Sequence, residues 1–285
     1  MNNKKSISDV RRYWNQEACG SHFIDGEKYT KKFFEKYSEF RYNKEHHLDR
    51  FVKWHKAKNK KVLEIGLGNG ADSSKWAKYA SEFHGVDLTE EAVEATKLHF
   101  KFLNLTGNIN VGNAEKLDYP DDYFDIVYSH GVLHHTVNID KAIGEIRRVI
   151  KDDGQLILML YAKESFNYWI RIQLYMRLCV IFNLIKSKIL GMNKLRYPWK
   201  EHIINIKKRG FEYFSWQEFP HHCTDGPNCE IAYIWSKEQM TNILTKNGFK
   251  IIKHKKAHFP VLNRYKNFEL FLAKIFGFYR FLWCK

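Results

Sequence analysis

KVLEIGLGNGA, Lys61 to Ala71, decides how the rest of the chain is read. Val62, Leu63 and Ile65 have the makings of a short buried strand, and Gly66, Gly68 and Gly70 follow at alternate positions before Asp72 and Ser73 open a helical run. A turn from strand to helix that carries a nucleotide-sized ligand needs unusual backbone angles. It also needs main-chain N–H groups close to the ligand, which side chains would block. The same glycines, with Ala71, also satisfy a dinucleotide-type G-x-G-x-x-A pattern, so the loop alone leaves two ligand classes open.

The next hundred residues alternate strand and helix. Strands are expected at 61–65, 83–86, 108–111, 124–128 and 155–160, with helices at 72–79, 90–103 and 139–149. Such alternation predicts an α/β fold with a doubly wound, mostly parallel sheet, whose ligand lies beyond the C-terminal ends of the strands. Asp87 ends the second strand 21 residues after Gly66, where a carboxylate can accept hydrogen bonds from two ribose hydroxyls. A cap for the following helix is its structural alternative.

Four segments, VLEIGLGNG, GVDLTEEAV, GNAEKLDYPDDYFDIVYSHGVLHHT and EIRRVIKDDGQLILMLY, occur in this order. Together they resemble the class I S-adenosylmethionine-dependent methyltransferases, and within them the type 11 branch that includes ubiquinone and menaquinone methyltransferases. The resemblance covers about residues 60–161. It implies a seven-stranded Rossmann-like sheet and S-adenosyl-L-methionine as cofactor. Carried over by position, it implies that Glu64, Gly66, Gly68 and Gly70 surround the methionine part, and that Asp87 and Leu88 hold the ribose and one adenine face. Asn113, Ala114 and Glu115 would sit at the adenine edge, with Ser129 and His130 beside the sulfonium. Family members often carry Asp where this chain has Asn113, and the neutral amide makes that contact weaker.

Candidate catalytic groups lie in two places. His134 and His135 follow the fourth strand at the mouth of the cleft, where an imidazole with an ordinary pKa near 6.5 can take a proton from a hydroxyl or amine acceptor; capping the next helix is the alternative. His221, His222 and Asp225 crowd two imidazoles and a carboxylate into five positions, enough for a base and an orienting partner or for an ordinary turn.

Outside the core the chain is aromatic and basic. Residues 1–61 carry 16 basic and 8 acidic groups, residues 62–161 carry 9 and 16, and residues 162–285 carry 22 and 8. Basic flanks suit nucleic acid, an anionic membrane surface or an acidic substrate, and equally suit a solvated lysine-rich surface. Residues 1–60 are expected to form a helical lid, with Cys19, Gly20, Ser21 and His22 as a small polar turn over the ligand. Residues 61–161 form the cofactor core, 162–235 a substrate cap inserted after the fifth strand, and 236–285 the completion of the sheet. Phe166 to Leu190 is apolar but broken by Arg171, Arg177, Asn183, Lys186 and Lys188, so it is not expected to span a membrane. Polar residues fall on nearly all sides of it at 100° per residue, which predicts two shorter helices.

Five scattered cysteines without a C-x-x-C pair point to a reducing cytoplasm and no metal, although Cys223 and Cys229 lie near His221 and His222. The opening MNNKKSISDVRRYW lacks the apolar core of a secretory leader. The expected function is methyl transfer to oxygen, nitrogen or activated carbon of a small-molecule acceptor. The alternatives are an RNA methyltransferase, a membrane-proximal lipid or quinone methyltransferase, and a cofactor-binding partner subunit without turnover. Against the RNA reading, neither an N-P-P-Y type segment nor paired catalytic cysteines are present.

Overall fold

The computed structural model describes residues 5–16, 20–259 and 266–285. Its centre is a seven-stranded sheet in the order β3-β2-β1-β4-β5-β7-β6. The strands are β1 (Lys61–Ile65), β2 (Glu82–Asp87), β3 (Asn108–Val111), β4 (Phe124–His130), β5 (Ile150–Tyr161), β6 (Ile251–Ala257) and β7 (Tyr279–Cys284). β1 to β5 pair in parallel, while β7 runs antiparallel to both β5 and β6. Val62, Leu63 and Ile65 are at most 2% exposed, so both faces of β1 are covered, as a central parallel strand requires.

The crossover helices are α4 (Ala71–Ala77), α5 (Glu90–Leu103) and α6 (Ile139–Val149). Two of them, α5 and α6, start on a readable signal. Thr89 accepts from Ala92 N–H and Asn138 from Lys141 N–H, the side-chain caps that helix starts favour. Ile143, Ile146 and Val149 bury one stripe of α6 against Leu63, Val127 and Leu158 of the sheet. Across the sheet, Trp76 and Phe100 meet Val62, Ile126 and Ile157. α10 (Lys237–Lys246) carries a full capping box, Ser236 with Gln239, and leads into β6.

Before the sheet come α1 (Ile7–Gln16), α2 (Lys31–Lys44) and α3 (Leu48–Phe51). Phe33, Phe34 and Tyr37 of α2 are buried, Phe33 and Phe34 against Ala95 of α5. Cys19, in the expected polar turn, lies outside the described residues, but its neighbour Ser21 receives a hydrogen bond from Asn69 Nδ2 at 3.0 Å, which ties that turn to the glycine loop.

The insertion begins and ends at one bridge, Ala162 beside Trp235, and has a core of its own around Ile172, Val180, Ile203, Tyr213 and Phe219. It corrects the expectation of two short helices. Residues 167–190 form one continuous helical run, a π-helical stretch Asn167–Met176 that passes directly into α7 (Arg177–Leu190). The polar residues that scatter around the wheel turn inward: Asn167, Gln173 and Asn183 are buried. Arg177 donates to Gln173 Oε1 at 2.7 Å and to the carbonyls of Phe214 and Ser215. α8 (Trp199–Arg209) and the short α9 (His221–Thr224) complete the cap, and α11 (Lys266–Phe276) precedes β7.

Candidate active site

At the C-terminal ends of β1, β2 and β4 a cavity opens, lined by Glu64, Gly66, Gly68, Asp87, Asn113 and His130 from the sheet domain. Trp14, Tyr37 and Arg41 close it from the N-terminal helices. Gly66 and Gly68 have φ of +84° and +54°, left-handed values that favour glycine. A Cβ at Gly68 would meet only Tyr37 Oη at 3.9 Å, so the loop backbone there borders open space. At Gly66 a Cβ would stand 2.0 Å from Val132 Cγ2, so that glycine is required by the chain leaving β4.

Asp87 fastens this loop. Its Oδ2 accepts from Leu67 N–H at 2.8 Å, and its Oδ1 accepts from Thr89 N–H at 2.9 Å and Thr89 Oγ1 at 2.8 Å. Burial raises the Asp87 carboxyl above its ordinary range, against the pull of those donors. Asn113 Oδ1 accepts from Glu115 N–H at 2.9 Å, and Glu115 Oε1 accepts from Val137 and Asn138 N–H at 2.8 and 3.0 Å. The loop over residues 113–115 is thus held by its own hydrogen bonds.

Beneath the cavity lies a network of buried charge. Arg41 donates Nε to Asp72 Oδ1 at 2.9 Å and Nη2 to Asp72 Oδ2 at 2.6 Å, a two-bond fork. Tyr128 Oη donates to Asp72 Oδ2 at 2.8 Å, and Glu45 Oε2 lies 2.7 Å from His130 Nε2. Burial alone would raise both acids, but the Arg41 guanidinium holds Asp72 below the usual carboxylate range, and His130 with Arg41 holds Glu45 well below it. Glu64 is the exception. Burial, with the Asp72 charge alongside, lifts its carboxyl well above the ordinary range, and its Oε2 has no hydrogen-bond partner among the described residues.

The outer wall of the cavity is a second constellation. His135 donates Nδ1–H to the Ile231 carbonyl, which leaves Nε2 as the basic nitrogen, 3.8 Å from Asp225 Oδ2. Neither of those two atoms has a hydrogen-bond partner among the described residues. Tyr161 Oη donates to Asp225 Oδ1 at 3.0 Å, and Tyr13 Oη donates to the Asp225 carbonyl. The Trp14 ring stands 4.7 Å from the His135 ring on the cavity side. Burial pushes His135 below its ordinary pKa even though Asp225 works the other way, so the ring is neutral at neutral pH and can accept a proton. His134 lies behind it, fully buried, its ring 3.8 Å from that of Tyr161.

Residues 63–158 match the family described as the methyltransferase domain. This stretch is a class I S-adenosylmethionine-dependent methyltransferase domain of the type 11 branch. The uncharacterized methyltransferase YcgJ of Bacillus subtilis is 39% identical over 110 residues, 37% of this chain and 42% of that protein. The ubiquinone/menaquinone biosynthesis C-methyltransferase UbiE of Vibrio vulnificus is 30% identical over 112 residues, 38% and 43% of the two chains. This chain therefore spans less than half the length of these curated relatives. Magnesium protoporphyrin IX methyltransferase from Synechocystis, solved with bound SAH, shares the fold with a TM-score of 0.55 at 15% identity, over 98% of this chain and 99% of that one.

Within the methyltransferase domain most expected cofactor positions converge: Glu64, Gly66, Gly68, Asp87, Leu88, Asn113, Ala114, Glu115 and His130 all line the cavity. Gly70 and Ser129 do not. A Cβ at Gly70 would stand 3.1 Å from Thr96, so that glycine lets the start of α4 lie close to α5, and Ser129 Oγ donates to the Ile65 carbonyl at 3.1 Å, holding two strand ends together. His135 lines the cavity and His134 does not; Asn138, not a histidine, caps α6. His221 and His222 stand apart. Ala232 N–H donates to His221 Nδ1 at 2.8 Å, while His222 has Nδ1 2.8 Å from the Pro227 carbonyl and Nε2 3.2 Å from Glu218. Their neighbour Asp225 is the group that reaches the wall.

Among the described residues no Cys–His cluster forms at 221–229. The group that gathers one ligand atom each within 4.8 Å is His134, His135 and Asp225. With Nε2 to Oδ2 at 3.8 Å, that set is wider than the roughly 3.4 Å between ligand atoms of a closed tetrahedral zinc site, and its geometry suits a base with an orienting acid. The sequence reading missed Trp14, Tyr37, Arg41 and Glu45. No local pattern marks them, because each meets the site only through the packing of α1 and α2.

Proposed function

We propose that the chain binds S-adenosylmethionine in the cavity at the ends of β1, β2 and β4 and transfers its methyl group to a small-molecule acceptor held against the Trp14–His135 wall. The observation that carries this is Glu64, a buried carboxyl whose Oε2 has no hydrogen-bond partner among the described residues and whose pKa is raised by burial and by the neighbouring Asp72 charge. A cationic ligand in the cavity supplies a counter-charge. The residues present fit the cofactor: the Gly68 backbone borders open space, Asp87 and Leu88 line the cavity where a ribose would lie, and Asn113 Oδ1 keeps a second lone pair for an amino group.

The bound cofactor supplies an already activated methyl group, so the protein's part is alignment, exclusion of water and removal of one proton. The Asp87 bonds to Leu67 and Thr89 fix the loop before binding. Trp14, Tyr37 and Val10 cover the cavity from above. His135 Nε2 accepts the proton of a hydroxyl or amine acceptor, and Asp225, aligned by Tyr161 and Tyr13, stabilises the imidazolium that results. The domain limits 1–60, 61–161, 162–235 and 236–285 fit this division of labour between lid, cofactor core, cap and sheet edge.

Calorimetry with S-adenosylmethionine and S-adenosylhomocysteine tests the reading. Binding in the micromolar range is expected, and Asp87→Ala is expected to weaken it at least about tenfold, because the loop loses its fastening. A cation in the cavity favours ionised Glu64, so binding releases a proton and tightens as pH rises through the raised Glu64 pKa; Glu64→Gln abolishes the release. Absence of binding by either compound removes the proposal.

A further inference from the structure

The helical run 167–190 is amphipathic with its apolar side toward solvent. Ile170, Leu174, Leu178, Phe182, Ile185 and Ile189 recur every three or four residues along one face, and each is between 44% and 74% exposed. Trp169 and Tyr175 flank this stripe, at 48% and 57% exposed, and Trp216, 61% exposed, extends it with its ring 6.1 Å from that of Trp169. Among the residues of the run classed as exposed, Lys188 is the only charged one. The polar residues that would face water in an ordinary amphipathic helix are the ones buried in the cap. From Ile170 to Ile189 the stripe is on the order of 30 Å long, and contiguous exposed apolar surface of this kind marks an interaction site.

Charge identifies the occupant. Residues 177–209 hold nine Lys or Arg and one acidic residue, Glu201. Arg177 and Arg209 are used inside the cap, Arg209 against Glu218 and Glu230. Lys188, Lys194, Arg196, Lys200, Lys207 and Lys208 are exposed, and none of them forms an ion pair among the described residues. Aliphatic and aromatic side chains on one face with cations at its end match a phospholipid surface that carries negative charge, the rings settling at headgroup depth and the lysines against the phosphates. Among the described residues no helix is long and apolar enough to cross a membrane, which agrees with a helix that lies on the bilayer.

We propose that residues 167–190, with Trp216, form a docking surface for an anionic lipid bilayer. The proposal stands on exposure and charge and does not depend on the methyl-transfer reading. Its test is flotation of the full chain with vesicles of phosphatidylcholine and phosphatidylglycerol in equimolar amounts, beside vesicles of phosphatidylcholine alone. The protein is expected to float with the anionic vesicles, and at least about tenfold less with the neutral ones. Phe182→Glu with Ile185→Glu is expected to lower anionic-vesicle binding by on the order of a hundredfold, since two exposed apolar anchors are lost. S-adenosylhomocysteine binding serves as the control and is expected to be unchanged, because both residues lie outside the cavity.

Should that variant fold poorly, Lys186→Glu with Lys188→Glu reads the same surface through charge, with a loss of at least about tenfold. Failure of the parent protein to float with anionic vesicles overturns the proposal, as does unchanged flotation of a folded variant. A lipid-free dimer that Phe182→Glu splits into monomers also overturns it, in favour of a second copy of this chain as the occupant.

Discussion

Ile143, Ile146 and Val149 of α6 turn inward onto the sheet, while Arg147 and Arg148 of the same helix reach surface carboxylates at Asp152 and Asp121. Along residues 167–190 the assignment is reversed: Asn167, Gln173 and Asn183 turn inward and Leu178, Phe182 and Ile185 turn out. The first helix is solved locally, by periodicity and a cap. The second is tied down from within and without: Asn167, Gln173 and Asn183 bond to Arg171, Arg177 and the Cys179 carbonyl of the run itself, while Arg171 and Arg177 reach the carbonyls of Cys223, Phe214 and Ser215 in the cap. The run 167–190 turns polar groups inward and apolar ones outward, whereas α6 answers only to its own core.

The largest expected effect lies in the core half. Asp72→Ala leaves the Arg41 guanidinium buried without its forked partner and is expected to cost about 3–5 kcal/mol in urea unfolding. A cost under 1 kcal/mol would mean that water reaches Arg41 and that the core is less closed than its burial indicates. Next come two substitutions on one helix. Ile172→Ala, at a site with no exposure, is expected to cost about 2–4 kcal/mol, and Ile185→Ala, at 53% exposure, less than about 0.5 kcal/mol. Equal costs would break the contrast between the two faces.

His135→Asn is expected to slow methyl-label transfer about a hundredfold at saturating cofactor, with cofactor affinity unchanged. An equal loss of affinity would instead make the ring part of the cofactor wall. The smallest effect is one of pH and belongs to the cap. Burial holds His202 at about 4 and His221 at about 3, below the ordinary 6.5 of the unfolded chain. Between those values the unfolded chain binds more protons, so stability is full above about pH 6.5 and falls as the solution is acidified. Each ring contributes at most about 1.4 kcal/mol per pH unit. Urea unfolding at about pH 7.5 and about pH 5.5 checks it, and His202→Gln should remove one ring's share of the difference, about 1.4 kcal/mol.

How much of this was legible depends on where the determining contacts lie in sequence. α5, β3 and α6 appear at the expected boundaries, 90–103, 108–111 and 139–149, since each is set by its own periodicity and cap. The glycine loop, Asp87 and Asn113 meet at one cavity because parallel strands bring their C-terminal ends together, which alternation alone foretells. Asp87 was legible as a cavity position, yet its contacts to Leu67 and Thr89, which make it the fastening of the loop, were not. His221 and His222 looked equal to Asp225 in sequence, and only packing against Ala232, Pro227 and Glu218 drew the two rings away.

By itself the sequence determined most of the strands and the place of the cavity beyond their C-terminal ends, because those follow from the local period of apolar residues and from backbone angles only glycine adopts readily. Tertiary structure alone decided that Arg41 and Glu45 support the cavity, that His135 faces Asp225 across ninety residues, and that the long helix of the cap wears its apolar side outward. Those are pairings between distant segments. The electrostatics of a buried charge and the direction of a helix face depend on what packs against them, and no stretch of sequence carries its own neighbour.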